Sequence, residues 1–226
     1  MANPSHYTPR QLMNQCEFCR EFEGHSPRLE GVYGTLLSTR IILKTDRFVV
    51  LPTLGQIFAG SLLILPIDHM DTFAQLTFDA KNELEELISN VVKRVSQYGH
   101  PIIFEHGATE STGGGCGIYH AHLHLVPAPE ATMASTLFPE HQSRTTDIFS
   151  AWNKMRSASE YLLMSAGGET LYSDLSKTTD NYPSQFFRRR ITEHFHLSAP
   201  WDWRAYTKVE PALLATIAGR LPTDAQ

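Results

Sequence analysis

The sequence predicts an α+β protein in which an antiparallel sheet carries one long helix and is followed by a C-terminal extension. Short β-rich runs separated by turn residues occur between positions 40 and 66, and a stretch of apolar residues at helical spacing follows them. Two further β-rich runs then flank a glycine-rich loop. A meander, a helix and a hairpin in this order are typical of α+β proteins and not of doubly wound parallel sheets.

Composition limits the classes of protein that fit this chain. Its 226 residues are 42% hydrophobic, which suffices for one sizeable core or for a domain with a substantial extension. No apolar run approaches the roughly 20 residues that cross a bilayer, and the first residues lack the apolar segment of a secretory signal. We therefore expect a cytoplasmic protein with no membrane partner. The net charge of -5 argues against a nucleic-acid partner, which usually requires a basic surface.

The first half of the chain supplies most of the predicted elements. Three strands, RIILK, RFVVLP and SLLILP, lie between Arg40 and Pro66 and form the meander. Apolar residues at helical spacing predict a helix from about Asp79 to Tyr98 with one buried face, and a glycine follows it as a stop signal. The run PIIFE is the next strand, and HAHLHLVP, which ends at Pro127, is its hairpin partner.

Residues 131–226 form the predicted extension of hairpin and helices. Weak periodicity over 128–155 indicates loop with short helical pieces, and YLLMSAGGETLYS predicts a hairpin around its two glycines. Residues 183–195 predict a helix that carries Arg188, Arg189 and Arg190. These arginines either bind phosphate, because guanidinium groups pair with it through two parallel hydrogen bonds, or form a solvated helix face.

Three histidines at every second position are the most unusual feature of the chain. In a strand His120, His122 and His124 project from one face, and the alternating apolar residues project from the other. The three are satisfied strand histidines, or metal ligands, or include a nucleophile towards phosphorus. Same-face side chains lie about 7 Å apart, so two imidazoles converge on one ion and a third in line converges poorly.

A nucleophilic role fits the middle histidine. Histidine has a pKa near about 6.5, so much of it is neutral in the cytoplasm, and its attack on phosphorus gives a phosphoramidate that a second step discharges. His122 is the natural nucleophile because a neighbour on each side can donate to phosphate oxygens or to the leaving group. The backbone N–H groups of the preceding glycine run favour an anion-binding nest, formed by Gly113, Gly114, Gly115 and Gly117.

Two of the three cysteines form the pair Cys16-x-x-Cys19, so a disulfide framework is not expected. The pair fits two buried thiols, a redox pair or metal ligands. No thioredoxin-like βαβ pattern surrounds it, which argues against the redox pair.

The run His-Ala-His-Leu-His-Leu-Val resembles the signature of the histidine triad (HIT) superfamily of nucleotide hydrolases and transferases. Upstream, AGSLLILPIDH and the pair Cys16-Glu-Phe-Cys19 resemble further segments of that superfamily. The run FEHG followed by GCGIYHAHLHLVP resembles its diadenosine tetraphosphate hydrolase-like branch. The resemblance extends from about residue 14 to residue 130. It implies a HIT-like nucleotide-binding catalytic domain over residues 12–130, before the extension.

The resemblance also implies roles for particular residues. His122 attacks a bound nucleotide or dinucleotide substrate and forms a nucleotidyl-histidine, and His124 assists the phosphate and the leaving group. Five residues near the signature are expected to bind the substrate: Glu105, His106, Gly115, Cys116 and Gly117. A structural zinc ion is expected on a Cys2His2 set that closes its tetrahedral shell and pins the amino-terminal segment to the histidine strand, formed by Cys16, Cys19, His69 and His120.

Some residues depart from the family pattern. Ser61 stands where most members have a histidine, and Thr53 lies near a position that often holds an acidic residue for the ribose hydroxyls. The Glu105-His106 pair replaces an Asn or Gln, and Gly117 replaces a Ser or Thr. Fewer side chains therefore remain to donate to phosphate, and base and sugar preference stay open.

The leading hypothesis is a hydrolase that cleaves a phosphoanhydride or phosphoramidate bond of a nucleotide or dinucleoside polyphosphate through a covalent intermediate. A nucleotidyltransferase or phosphorylase shares its first step. Two further hypotheses are a zinc-stabilised nucleotide-binding protein with little turnover and a metal-dependent hydrolase that uses the H-x-H pair directly. We expect the extension either to cover the active site or to form the interface of a homodimer.

Overall fold

A computed structural model describes residues 16–25, 40–109, 118–178, 182–198 and 201–205. Within these ranges a single eight-stranded sheet has the strand order β1-β2-β3-β5-β4-β7-β8-β6, and every pair of neighbours is antiparallel. The strands are β1 (Leu43–Lys44), β2 (Phe48–Pro52), β3 (Leu62–Pro66), β4 (His100–Ala108), β5 (Leu123–Ala128), β6 (Ser143–Thr145), β7 (Glu160–Ala166) and β8 (Glu169–Asp174).

Five α-helices and three short 3-10 turns accompany the sheet in the described ranges. The helices are α1 (Glu17–Phe22), α2 (Phe78–Val95), α3 (Ala134–Leu137), α4 (Ile148–Met155) and α5 (Phe186–His194). The 3-10 turns are Phe73–Gln75, Leu175–Lys177 and Trp203–Ala205. None of the helices in the described part of the chain has the length and apolar character that a membrane crossing requires.

The predicted α+β fold class is confirmed, with its meander, long helix and hairpins. The histidine strand is shorter than predicted, because it begins at Leu123 and leaves His120 and His122 in the segment before it. There the N–H of Ala121 donates to the carbonyl of Met70 at 2.7 Å instead of to a neighbouring strand. The short strand β6 was not predicted, since its three polar residues carry no hydrophobic pattern.

Strands from the predicted extension continue the same sheet. The hairpin β7–β8 turns at Gly167 and Gly168, whose φ angles of 59° and 81° suit residues without a side chain. β7 then pairs with β4 over six residue pairs. Residues on both sides of position 130 therefore share one sheet, and the division into 12–130 and 131–226 stays a prediction.

One face of the sheet, the core face, packs against α2 and α4. The apolar residues of α2 repeat at helical spacing and are buried on the sheet, and they are Ala80, Leu84, Leu87, Ile88, Val91 and Val95. Asp79 in the first turn and Lys93 and Arg94 in the last turn complement the helix dipole. Ala121, Leu123 and Leu125 belong to the same core, so the alternation expected from the sequence persists through the segment before β5.

The opposite face, the site face, carries two separate apolar clusters. In one, Phe18 of α1 packs on alternate residues of β2 and β3. In the other, residues of β4, β7 and β8 pack against α3 and α5. His124 lies on this face, because it pairs with Leu63 of the first cluster and stacks on Phe104 of the second. His124 therefore lies at the boundary between the two apolar clusters.

Glu105 of β4 points to the core face and is 1% exposed. Its carboxylate accepts hydrogen bonds from the backbone N–H of Phe73 at 3.0 Å, from Nε1 of Trp152 at 2.7 Å and from the hydroxyl of Tyr161 at 2.6 Å. Burial raises the pKa of Glu105, and the three donors oppose that rise. One carboxylate thereby connects β4 with a 3-10 turn, α4 and β7.

We expect Glu105→Ala to lower the free energy of unfolding by about 3 kcal/mol or more, because three buried donors lose their acceptor at once. Glu105→Gln should cost less, since its amide oxygen still accepts. Urea denaturation measures both values. The exposed Glu85→Ala on α2 is the control, with an expected change within about 0.5 kcal/mol. Equal midpoints for Glu105→Ala and wild type would contradict the assignment.

Candidate functional site

The hydrogen bonding of His122 fixes which of its ring nitrogens is basic. Nδ1 lies 2.6 Å from the backbone carbonyl oxygen of His120, and because a carbonyl only accepts, Nδ1 carries the proton. The lone pair of the neutral ring is therefore on Nε2. The ring is 8% exposed and lies 5.6 Å from the ring of Phe18 and 5.3 Å from that of His124, measured between centroids. This tautomer is the one that a nucleophilic Nε2 requires.

The ring of His124 packs against an aromatic side chain of β4. Its ring stacks on Phe104 with centroids 4.4 Å apart and planes 10° from parallel. Burial lowers the pKa of His124 well below its usual value, and the neighbouring His122 and Arg188 act in the same direction. His124 is thus neutral at physiological pH, so that it can donate or accept a hydrogen bond to a phosphate or leaving group but brings no positive charge to it.

A cavity of about 60 Å³ opens on the site face in front of these rings. This histidine cavity is lined by His106, His122 and His124, by Phe18 and by Phe187 and Arg188 of α5, among others. Sites that enclose a whole drug-sized ligand have volumes of about 300 Å³ or more. The histidine cavity therefore accommodates a small group such as one phosphate, with the rest of a larger ligand outside it.

The sequence predicts that the glycine run before Ile118 forms an anion nest. Gly115, Cys116 and Gly117 lie outside the described residues, as do the other glycines of the run. The described chain resumes at Ile118, which lines the histidine cavity. Their role in substrate binding stays a prediction.

The three arginines of α5 have different surroundings. Arg188 is 3% exposed and lines the histidine cavity, and its guanidinium donates to the carbonyls of Trp201 at 2.7 Å and Gly55 at 2.5 Å. Arg189 stacks on the Trp201 ring, and Arg190 pairs with a glutamate at the surface. The three arginines therefore form neither a single phosphate site nor a single solvated helix face. Arg188 lies at helical spacing next to the buried Phe187 and Ile191, and this spacing was the sequence signal that Arg188 is buried while Arg189 and Arg190 are not.

Glu105 and His106 are adjacent in sequence and lie on opposite faces of the sheet. Glu105 does not line the histidine cavity, and both of its oxygens accept from core donors, so we assign it to the core and not to substrate binding. His106 does line the histidine cavity, with Nε2 at 2.8 Å from Oε1 of Glu160. Alternation along a strand is the reason that only one of the pair reaches the site.

Four of the predicted site residues form a cluster that can hold a metal ion. The candidate ligand atoms of Cys16, Cys19, His69 and His120 all lie within 4.8 Å of one another. Nδ1 of His120 is 3.4 Å from Sγ of Cys16 and 3.5 Å from Sγ of Cys19, and Nδ1 of His69 is 3.4 Å from Sγ of Cys19. The cluster joins α1 to the loop after β3 and to the segment before β5.

Outer contacts orient the two histidines of this cluster. Nε2 of His120 donates to the carbonyl of Pro66 at 2.9 Å, which leaves the lone pair on Nδ1, towards the thiols. Nε2 of His69 lies 3.7 Å from a carboxylate oxygen of Asp71, which raises the pKa of His69 to about 9. The hydrogen bond between the cysteines lowers the pKa of Cys16 and raises that of Cys19.

The departures from the family pattern have distinct environments. Ser61 is buried and its hydroxyl donates to the carbonyl of Phe58 at 2.6 Å, so it is satisfied within its own loop. Thr53 lines the histidine cavity, and its Oγ1 is buried without a hydrogen-bond partner among the described residues. Thr53, unlike Ser61, is available to a ligand.

No protein-family model matches the chain, and no curated protein sequence is significantly similar to it. Solved structures of HIT family proteins resemble it. A HIT-like protein from Bartonella henselae is 14% identical, over 53% of this chain and 79% of its own, with a TM-score of 0.41. A HIT family hydrolase from Legionella pneumophila is 22% identical, over 53% and 98%, with a TM-score of 0.35. A third, from Clostridium thermocellum, is 16% identical, over 50% and 90%, with a TM-score of 0.36. Likenesses of this size do not assign a family or an activity to the chain.

We expect the His124 ring to stay neutral as the pH falls from about 7.5 to 5.5, because its folded pKa is depressed. An unfolded histidine takes up a proton near about pH 6.5. The contribution of His124 to stability is therefore full above about pH 6.5 and declines below it, by up to about 1.4 kcal/mol per pH unit. Nitrogen-15 shifts of the ring report its protonation, and urea denaturation reports stability.

Comparison with His124→Gln isolates this contribution from the other titrating groups. The variant should show a shallower loss of stability between pH 6.5 and 5.5 than wild type. The same slope in both proteins, or an imidazolium signal from His124 at pH 6, is the result that would refute the assignment.

Proposed function

We propose that this protein is a nucleotide phosphohydrolase that cleaves a phosphoanhydride or phosphoramidate bond through a nucleotidyl-His122 intermediate. One observation carries the proposal. The bond from Nδ1 of His122 to the His120 carbonyl, 2.6 Å long, leaves a basic Nε2 on a ring that lines the histidine cavity. The resemblance of residues 120–126 to the HIT signature supplies the substrate class, a nucleotide or a dinucleoside polyphosphate.

The reaction has two displacements at phosphorus. In the first, Nε2 of His122 forms a bond to the phosphorus atom, and the bond to the leaving group breaks with its electron pair on the leaving group. The modified ring is cationic, and its Nδ1–H remains on the carbonyl of His120, which stabilises that charge. In the second, a water oxygen bonds to phosphorus and the water releases one proton, while the P–N bond breaks with its electron pair on Nε2 and restores the neutral ring.

Arg188 is suited to the phosphate in both steps. Its bonds to two backbone carbonyls hold the guanidinium in the wall of the histidine cavity. A fixed positive charge in a partly buried site favours the charge that develops on the phosphate oxygens. We therefore assign phosphate binding to Arg188.

We further propose that the cluster of cysteines and histidines holds a structural zinc ion. Zinc bonded to sulfur at about 2.3 Å and to nitrogen at about 2.1 Å in tetrahedral geometry separates the two ligand atoms by roughly 3.6 Å. The nitrogen–sulfur distances of 3.4 to 3.5 Å fit this value. Four protein ligands leave no position for a substrate, so the ion would stabilise the fold and not take part in the chemistry.

This ligand set also bears on the hypothesis of a metal-dependent hydrolase. Among the described residues, His120 belongs to the cluster and His122 does not, and Nδ1 of His122 is bonded to the His120 carbonyl instead. A nucleotidyltransferase shares the first step and is distinguished by its product when an acceptor such as phosphate is added. Homodimer formation and a cytoplasmic location stay predictions.

The nucleophile is tested by trapping the intermediate. Wild type is incubated with fluorogenic nucleoside phosphoramidates and dinucleoside polyphosphates, quenched, and measured by intact mass spectrometry. We expect a common nucleotidyl adduct in wild type, no adduct in His122→Asn, and a loss of turnover of roughly 10³-fold or more. The exposed His25→Asn is the control and should retain both adduct and turnover. Wild-type turnover by His122→Asn would refute the mechanism.

The metal site is tested by composition and stability together. We expect about one zinc ion per chain by elemental analysis, and loss of the ion in Cys19→Ser. Removal should lower the melting temperature by roughly 5 to 10 °C, which corresponds to about 2 to 3 kcal/mol for a chain of this length. Loss of activity on chelation with an unchanged melting temperature would instead indicate a catalytic ion.

A further inference from the structure

His106 of β4 also lines the histidine cavity, and a carboxylate lies behind its ring. Its side chain is 7% exposed, and Nε2 lies 2.8 Å from a carboxylate oxygen of Glu160, at the start of β7. Because a carboxylate only accepts, Nε2 carries the proton and the lone pair of the neutral ring is on Nδ1. This Nδ1 is buried and has no hydrogen-bond partner among the described residues.

His106 lies on the same side of the sheet as the proposed nucleophile. Phe104 of β4 pairs with His124 of β5, and His106 is two residues further along β4 on the same face. The side chains of His106 and His122 both line the histidine cavity. A group bound to His122 therefore shares this cavity with His106.

The polar atoms of this cavity that lack a hydrogen-bond partner among the described residues indicate which kind of group binds there. Three buried side-chain atoms in the described part of the chain lack a partner, and all three residues line the histidine cavity: Thr53 with Oγ1, His106 with Nδ1 and His124 with Nδ1. Buried polar atoms are rarely left unpaired, so a polar ligand or water completes them. In the neutral form of the His106 ring, Nδ1 is an acceptor and needs a donor. A fully ionised phosphate offers none, whereas water offers an O–H group.

We propose that His106 is a second catalytic histidine, a general base for the water that discharges the nucleotidyl-His122 intermediate, and that Glu160 positions its ring. This inference rests on the proposed function. As the water oxygen bonds to phosphorus, one water proton moves to Nδ1 of His106, and the P–N bond breaks with its electron pair on Nε2 of His122. The imidazolium at position 106 is stabilised by the Glu160 carboxylate and then returns its proton to solvent.

Other candidates for this base fit less well. Glu105 points to the core face and is bound by three donors. His124 is stacked on Phe104, and its depressed pKa makes it a weak proton acceptor. His120 donates from Nε2 to the Pro66 carbonyl and turns Nδ1 to the cysteines. His106 is the remaining cavity histidine with a carboxylate behind it.

The test separates formation of the adduct from its discharge. Wild type and His106→Asn are loaded with a fluorogenic nucleoside phosphoramidate, freed of excess substrate by rapid desalting, and followed by intact mass. We expect His106→Asn to form the adduct but to discharge it roughly 10²-fold more slowly. Added imidazole should accelerate discharge in His106→Ala, which a purely structural residue would not produce. His100→Asn, on the same strand and face but exposed, is the matched control.

Each outcome distinguishes the two proposals. Discharge at the wild-type rate in His106→Asn overturns the role of His106 and leaves His122 as the nucleophile. Failure of wild type to form any adduct overturns the proposed function and this inference with it.

If the His106 variants do not fold, Glu160→Ala tests the role of His106 instead. We expect discharge about tenfold slower, largely restored in Glu160→Gln, whose amide oxygen still accepts from Nε2. An unchanged rate in Glu160→Ala overturns the inference.

Discussion

The alternation of side chains along the two central strands is the constraint on which the rest of this structure depends. β4 and β5 each send one residue to a filled core and the next to the site face, so Glu105 and Leu123 are buried on one side while His106 and His124 face the histidine cavity on the other. A slip of one residue in register would drive the histidines into the core and the apolar side chains into the cavity. Packing against α2 therefore fixes the geometry of a site that α2 does not touch.

The three histidines at positions 120, 122 and 124 have three different environments because each contacts a different partner. His120 turns its side chain to the cysteines and offers its backbone carbonyl to Nδ1 of His122. A single residue thus belongs both to the cluster that can hold a metal ion and to the support of the proposed nucleophile. Phe18 strengthens this connection, because it lies on α1 with the cysteines and its ring packs against both His120 and His122. Disturbing the cluster should therefore also disturb the orientation of the ring at position 122.

Local patterns in the sequence were sufficient for the meander, the long helix and the β7–β8 hairpin, because each depends on periodicity or on a glycine turn within a few residues. The grouping of Cys16 and Cys19 with His69 and His120 came from the family resemblance, since no local rule relates residues about a hundred positions apart. The pairing of β4 with β7 was not predicted, because it joins segments more than 50 residues apart in sequence. The separation of Glu105 from His106 follows instead from alternation along β4, and the inward position of Arg188 follows from helical spacing on α5, so both had a local signal in the sequence.

That pairing makes the C-terminal residues part of the site and not only an addition to it. β7 supplies Glu160 behind His106, and α5 supplies Arg188 and Phe187 to the wall of the histidine cavity. Without these residues β4 would become an edge strand, with open hydrogen-bonding groups along its length and with Ile102 and Phe104 uncovered. The proposed base would lose the carboxylate that orients it, and the proposed phosphate site would lose its buried cation, Arg188. The chemistry proposed for His122 therefore depends on residues from both sides of position 130, and not on residues 12–130 alone.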